Sequence, residues 1–269
     1  MRWLAKAAVH WAISAAPGGV RLKLRRYFQE RSGELPASEC RLEILIANAT
    51  THFTRPTAVS PLREDATYFE CGVGGHVFQA LIFWSLGMRR QTLVDIQPWL
   101  QPDLLNDAIS RLRLRGYETP SYSVEDPAAL RLFGIDYQAP ADARRTSLPS
   151  GSVRYIATTN VFEHVSKDSV LPILKECHGL LSGDGAVSLR IDYVDHYSYF
   201  DRRVPSDNFL RYSDFTWRFL NPPTHYQNRL RHRDYLEMIR RAGFSIASEE
   251  LARDERTSVE AHSWLLLTR

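Results

Sequence analysis

The segment YFECGVGGHVF (Tyr68–Phe78) does most to limit what this chain can become. A short apolar run ends in a glycine-rich loop, and an apolar stretch of helical period resumes directly after it. A strand that turns through glycines into a helix opens a parallel sheet, because a crossover must carry the chain back for the next strand. The same alternation continues downstream. Helices are expected at His76–Met88, Asp103–Arg115, Pro127–Phe133 and Asp168–Leu181, and strands at QTLVDI, IDYQA, SVRYIATT and GAVSLRIDYV. A helix at His232–Ala242 then precedes two consecutive strands, FSIASEEL and AHSWLLLTR, which should pair antiparallel. The expected fold class is α/β, a doubly wound, mostly parallel, seven-stranded sheet.

Two regions stand outside this rhythm. Residues 1–60 show no strand pattern and read as a helical N-terminal segment, with helices at Trp3–Ala15, Val20–Arg31 and Ser38–Thr51; residues 61–269 form the main domain. The first helix carries Trp3, Leu4, Ala7, Ala8, Trp11 and Ile13, interrupted by Lys6 and His10, and is too short to span a bilayer. It either docks on the domain, the preferred reading, or lies on a membrane surface with the help of the basic run RLKLRR. The second region, 195–229, interrupts the domain after the fifth strand and reads as a lid or acceptor insertion, since long connections in compact domains usually serve function.

Ligands of doubly wound sheets bind beyond the carboxyl ends of the strands. That rule selects the loop after the first strand, Asp95, Asp142 and the stretch Thr158–His164. In the loop, Gly72 and Gly74 fit a nicotinamide fingerprint, but Val77 stands where its third glycine belongs, and Gly75 is the extra one. A Walker phosphate loop is excluded because no Gly-Lys-Ser/Thr follows. Glu70 separates the remaining readings. A carboxylate beside the loop is a poor neighbour for pyrophosphate and a good one for a cofactor carrying ammonium and sulfonium groups.

With these residues the chain resembles the class I S-adenosylmethionine-dependent methyltransferases. The matching pieces are FECGVGG, TLVDI, PADARRTSLPSGSVRYIATTNVFEHV and LLSGDGAVSLRIDYVDH. The resemblance implies a Rossmann-like methyltransferase fold with S-adenosyl-L-methionine as cofactor. It implies that Glu70, Gly72, Gly74 and Gly75 hold the methionine portion, that Asp95 takes the ribose hydroxyls, that Asp142 and the backbone of Ala143 meet the adenine, and that Asn160, Glu163 and His164 border the open side. Arg154 departs from the pattern where the family carries an acid, at a place facing away from the cofactor. The stretch from Asp192 to Phe244, with DH, NFL and YQNRLR, is similar to bacterial methyltransferases associated with surface-polysaccharide and lipopolysaccharide biosynthesis.

Methyl transfer to a hydroxyl requires alignment and removal of a proton. His196, at the end of the fifth strand, is the first candidate catalytic base, and His164 the second. Asp192, Asp195 and His196 could bind a metal, but a strand-end acid pair bridged to arginines is the preferred reading, and no metal site is expected. Asn208, Tyr226, Asn228 and Arg229 are the candidate acceptor-binding residues, because aromatic faces and amides suit a small-molecule or glycan acceptor; Trp217 is expected to pack the lid. The 34 basic residues exceed the 31 acidic ones by only three, so no nucleic-acid partner is expected. Three widely spaced cysteines suit a reducing cytoplasm. The expected location is cytoplasmic, with peripheral contact at the inner membrane surface as an option for the first helix. The competing readings are an RNA or protein methyltransferase and a non-catalytic cofactor-binding scaffold.

Overall fold

The computed structural model describes residues 2–32, 34–121 and 123–269. Among them, seven strands form one sheet in the order β3-β2-β1-β4-β5-β7-β6. The chain opens with helices α1 (Arg2–Ala15), α2 (Gly18–Arg31) and α3 (Glu39–Val59). It enters the sheet through β1 (Thr67–Cys71), α4 (Phe78–Ser85), β2 (Arg90–Val94), α5 (Pro102–Leu114), β3 (Ile135–Gln138) and β4 (Val153–Thr159). It finishes with α6 (Lys167–Leu180), β5 (Leu181–Asp192), the insertion helices α7 (Tyr197–Phe200) and α8 (Asp214–Leu220), then α9 (His232–Arg241), β6 (Ser245–Arg253) and β7 (Glu260–Thr268). β1 to β5 run parallel, and β7 pairs antiparallel with both β5 and β6. The seven-stranded, mostly parallel α/β architecture expected from the sequence is the one observed.

The strand alternation divides the core into two layers. Tyr68, Leu93, Tyr155 and Ala157 face α3, α4 and α5. Phe69, Val94, Ile156, Val187 and Leu189 face α6 and α9. No helix among the described residues is long and apolar enough to cross a membrane.

Two helices differ from expectation. α4 begins at Phe78 rather than His76, because Gly74 and Gly75 still form the turn and Val77 offers no side-chain cap. α3 runs to Val59, well past Thr51 and through Pro56. Thr50, Thr51, Thr54 and Thr57 return their hydroxyls to carbonyls four residues back. Burial of Ala49, His52 and Pro56 along one helical stripe drives the extension. α3 therefore lies on the sheet, reaching β5 through His52 and Ser188.

α1 docks, and its partner is the insertion. Trp3 and Ala7 are buried with Tyr197, Val204, Phe209 and Trp217 in a separate apolar cluster. The Trp3 ring lies 5.1 Å from Tyr197, the Trp11 indole donates to the Phe219 carbonyl at 2.6 Å, and Ser14 meets Thr224 at 3.0 Å. Trp3→Ala is expected to cost about 3 kcal/mol of stability and to open the α1–α2 segment to limited proteolysis ahead of the sheet. Simultaneous digestion of both regions would show that α1 is not held by this cluster.

Candidate functional site

The carboxyl ends of β1, β2, β4 and β5 converge on the glycine loop. Gly72 has φ +78° and Gly74 φ +63°, backbone angles that side chains rarely adopt. At Gly72 a Cβ would come within 2.6 Å of the Val161 methyl groups, so the Val161 side chain from the loop after β4 packs directly on the Gly72 backbone. At Gly74 a Cβ would meet nothing within 4 Å, so the loop presents bare backbone to open space. Gly75 is covered instead by Leu35 from the segment before α3, 3.1 Å from where its Cβ would lie.

Asp95 closes β2 and is buried. Its carboxylate accepts from Gly74 N at 2.8 Å and Gln97 N at 3.0 Å, and thereby holds the glycine loop in place. Burial raises its pKa, while these two amides pull the other way. Asp142 and Ala143 follow β3, on the turn after Pro140. The Asp142 carboxylate is engaged by Arg144, whose Nη2 is 2.6 Å away, and this hydrogen bond holds it below the usual carboxylate range. An adenine amino group would compete with Arg144 for it.

Glu70 lies on β1, one residue before the loop region, and only 6% of it is exposed. Burial pushes its pKa up to about 7, against the hydrogen bonds it receives. Its Oε2 accepts from the Tyr68 hydroxyl at 2.7 Å, and that hydroxyl accepts from Gln79 Nε2 at 2.7 Å. Gln79 Oε1 accepts from the Thr159 hydroxyl at 3.0 Å, Thr159 Oγ1 meets His52 Nε2 at 2.8 Å, and His52 Nδ1 meets Ser188 Oγ at 2.8 Å. Once Thr159 donates to Gln79, it must accept from His52, so His52 carries its proton on Nε2 and accepts from Ser188 on Nδ1. The chain runs in one direction from β5 through α3 and β4 to α4 and β1, and ends on the Glu70 carboxylate. Full burial, with Arg190 and Arg55 near, pushes His52 down to about 3, which keeps it neutral as this chain requires.

The loop after β4 carries Asn160, Glu163 and His164. Asn160 takes a left-handed φ of +54° and accepts from Arg190 through Oδ1. Glu163 is 1% exposed, and neither carboxylate oxygen has a hydrogen-bond partner; desolvation, with Asp192 nearby, raises its pKa well above the usual range. His164 Nδ1 faces the Tyr226 carbonyl at 2.8 Å. The His196 ring sits 4.9 Å from the His164 ring, with Nε2 3.4 Å from Asp192 Oδ2. The structure thus brings both candidate catalytic histidines together beside Glu163. Asp195 points elsewhere, accepting from Asn208 Nδ2 at 2.8 Å and Tyr197 N at 2.8 Å.

Three of the four candidate acceptor residues hold the insertion together instead. Asn208 is buried on Asp195. Asn228 donates to the Phe162 and Val165 carbonyls and accepts from Leu230 N and the Tyr235 hydroxyl, which clamps the β4 loop. Arg229 spends its guanidinium on the Phe209 and Tyr212 carbonyls and on Asp214. Asn228, buried with its amide fully engaged, has no group to offer a substrate. Tyr226 differs. It lines an open cleft of about 360 Å³ with Trp11, His164, Ser166, Asn221 and Pro223. Trp217 is buried in the insertion, as expected. Arg154 ties β4 to Asp184 at 2.5 Å and to the Pro61 carbonyl, away from the glycine loop.

The sequence reading missed the relay residues Tyr68, Gln79, Thr159, His52 and Ser188. Gln79 was the available signal, a buried amide near the start of the apolar helix FQALIFWS. It also missed Arg25 of α2, which stacks on Trp99 at 4.2 Å and lies within electrostatic reach of Asp95.

No protein-family model matches the chain, and no curated protein sequence does. Solved structures do. Geranyl diphosphate C-methyltransferase from Streptomyces coelicolor A3(2), solved with Mg2+, geranyl diphosphate and S-adenosyl-L-homocysteine, superposes with TM-score 0.56 at 11% identity, covering 85% of this chain and 80% of that one. A SAM-dependent methyltransferase from Methanosarcina mazei gives 0.50 at 15% identity, covering 77% of this chain and 94% of that one. The fold is that of the class I S-adenosylmethionine-dependent methyltransferases. The [4+2]-cyclase SpnF has it too, with TM-score 0.52 at 12% identity over 83% of this chain and 80% of that one. The fold therefore fixes the architecture, and the reaction has to be argued from the site.

His52 yields a stability prediction. Its folded pKa of about 3 lies below the unfolded value of about 6.5. The unfolded chain takes up this proton as pH falls through about 6.5 while the folded chain refuses it until about 3, so the contribution is complete above that window and is lost on acidification. His52→Gln should flatten the pH dependence of the unfolding free energy between pH 6 and 4 by up to about 1.4 kcal/mol per pH unit. Parallel slopes in urea titrations of the two proteins would show that His52 titrates alike in both states.

Proposed function

We propose that this protein is an S-adenosylmethionine-dependent methyltransferase that O-methylates a sugar or glycan intermediate. The observation that carries the cofactor reading is Glu70. It is a desolvated carboxylate beside a glycine loop, oriented by a directed hydrogen-bond chain, and no cation is among its hydrogen-bond partners. An ammonium or sulfonium group supplies the charge that such an acid lacks. The bare backbone at Gly74 and the Asp95 carboxylate beside it fit the rest of that ligand. Glu70, Gly72, Gly74 and Gly75 would hold the methionine portion, Asp95 the ribose, and Asp142 with Ala143 the adenine. When bound, the cofactor supplies an activated methyl group.

The chain's own residues supply alignment and proton handling. His196 and His164, which lie together beside Glu163, would with Asn160 border the open side, where an acceptor hydroxyl would give up its proton. The cleft lined by Trp11, Asn221 and Tyr226 opens beside His164, and its mix of aromatic faces and an amide suits a sugar. The similarity of the 192–244 stretch to polysaccharide-associated methyltransferases supports the same class of acceptor. On α2, Val20, Leu24, Tyr27 and Phe28 form an exposed apolar stripe beside the basic residues Arg21 and Lys23. That combination supports peripheral contact with an anionic membrane surface, where lipid-linked glycans reside.

Calorimetry on the purified chain tests the cofactor reading. S-adenosylmethionine should bind about tenfold more weakly per pH unit below pH 7, because Glu70 must lose its proton to meet a cation. Glu70→Gln should bind weakly at every pH, and Asp95→Ala should lose most of the affinity. A pH-independent affinity in the parent protein, or equal affinity for NAD, would overturn it. Transfer of labelled methyl groups into envelope glycan fractions tests the acceptor class.

A further inference from the structure

We infer that Glu163, His164 and His196 form a binding site for one divalent transition-metal ion, of the zinc or manganese kind. This rests on the methyltransferase reading only for what the ion would act upon. One ligand atom from each residue, a carboxylate oxygen and two ring nitrogens, lie within 4.8 Å of one another. Ligands bound at about 2.1 Å are at most about 4.2 Å apart, so small side-chain rotations close the set.

Four features of the molecule point to an ion rather than to chance proximity. First, Glu163 is 1% exposed, yet both its oxygens lack any partner. A buried carboxylate with no hydrogen-bond partner of good geometry, eased by the charge of Arg190 but opposed by nearby Asp192, is costly for a protein to keep. The Asn228 clamp fixes the backbone at this very loop, accepting nothing from the Glu163 side chain while its own N–H donates to the Glu163 carbonyl at 2.7 Å. The fold thus holds this acid in place without giving either oxygen a hydrogen-bond partner of good geometry.

Second, His164 is oriented as a metal ligand is. Its Nδ1 faces the Tyr226 carbonyl, an acceptor only, so Nδ1 carries the proton and Nε2 keeps its lone pair. Ligating histidines commonly donate their second ring nitrogen to a backbone carbonyl in this way. Third, Asp192 Oδ2 stands 3.4 Å from His196 Nε2, close enough to orient a ring that ligates through its other nitrogen. Asp192 is itself held by the Tyr199 hydroxyl at 2.7 Å. Fourth, the three donors come from two separate segments, the loop after β4 and the end of β5, which the sheet brings together.

Two imidazoles and one carboxylate are the donor set of zinc and of non-haem transition metals, whereas magnesium prefers oxygen ligands. Three protein ligands leave positions open to an outside oxygen. On the methyltransferase reading that oxygen belongs to the acceptor hydroxyl, and an ion there would lower its pKa; with His164 and His196 occupied as ligands rather than acting as bases, the proton would leave to solvent as oxygen bonds to the methyl carbon and the carbon–sulfur bond breaks. The set differs from the Asp192, Asp195 and His196 trio visible in the sequence, because Asp195 is turned away into the insertion.

The test uses the full chain stripped with a chelator. Zinc, manganese and magnesium are titrated separately by calorimetry, and the cobalt-loaded protein is examined for visible absorption bands of a low-coordinate nitrogen-ligated ion. One zinc or manganese per chain is expected, with magnesium bound at least tenfold more weakly. Glu163→Gln and His196→Asn should each weaken binding at least tenfold and abolish the cobalt bands, while their melting temperatures without metal stay within a few degrees of the parent or rise for Glu163→Gln. Binding that survives both substitutions, or none in the parent protein, overturns the site. Should either variant fail to fold, His164→Asn at the more exposed position serves in its place. Cofactor affinity is measured on the same metal-free samples. S-adenosylmethionine binding without metal binding defeats this inference alone, and metal binding without S-adenosylmethionine defeats the methyltransferase reading alone.

Discussion

Glu70 sits in the interior of a parallel sheet, and keeping a carboxylate there without a counter-charge costs several kcal/mol. Much of the surrounding structure answers that cost. Tyr68, two residues earlier on the same face of β1, gives it a hydroxyl. Gln79 enters an otherwise apolar helix to hold that hydroxyl, and Thr159 and His52 hold Gln79. Each donor in this series needs the next to be an acceptor, so neutral His52 sets the direction of every bond down to Glu70. The third helix belongs to the site for this reason, although it precedes the sheet in sequence. Its length beyond the threonine run follows from the need to place His52 over Ser188 and Thr159.

The insertion and the first helix form a second unit built on the same end of the sheet. Neither buries an apolar face alone; Trp3 fills the space among Tyr197, Tyr212 and the residues around Trp217. Asn208, Asn228 and Arg229 serve to hold this arrangement together. That has a purpose at the β4 loop, where Asn228 and the Tyr226 carbonyl fix the positions of Glu163 and His164. The aromatic wealth of the insertion is thus mainly its own core, and the cleft it leaves open lies around Tyr226, completed by Trp11 from α1.

The glycine loop, the strand-end acids and the order of elements were legible because each is local. Alternating apolar runs show strands, a 3.6-residue period shows helices, and glycines mark the turn between them. The roles of Asn208, Asn228 and Arg229 were not legible. An amide or guanidinium in a loop looks the same in sequence whether it meets a sugar or a carbonyl twenty residues away. The relay was hidden for a related reason, since its members are drawn from β1, α3, α4, β4 and β5 and their spacing follows no period.

By itself, the sequence determined the seven-stranded α/β fold and the glycine loop with Glu70 before it and Asp95 after the next strand. These follow from periodicity and backbone freedom, which act over a few residues. Only the tertiary structure decided that Glu70 is buried at the end of a directed hydrogen-bond chain, that Asp195 turns into the insertion, and that Glu163, His164 and His196 face one another. Those outcomes depend on which side chains the sheet register and helix docking bring within hydrogen-bond reach, and on which of them lose water when they arrive.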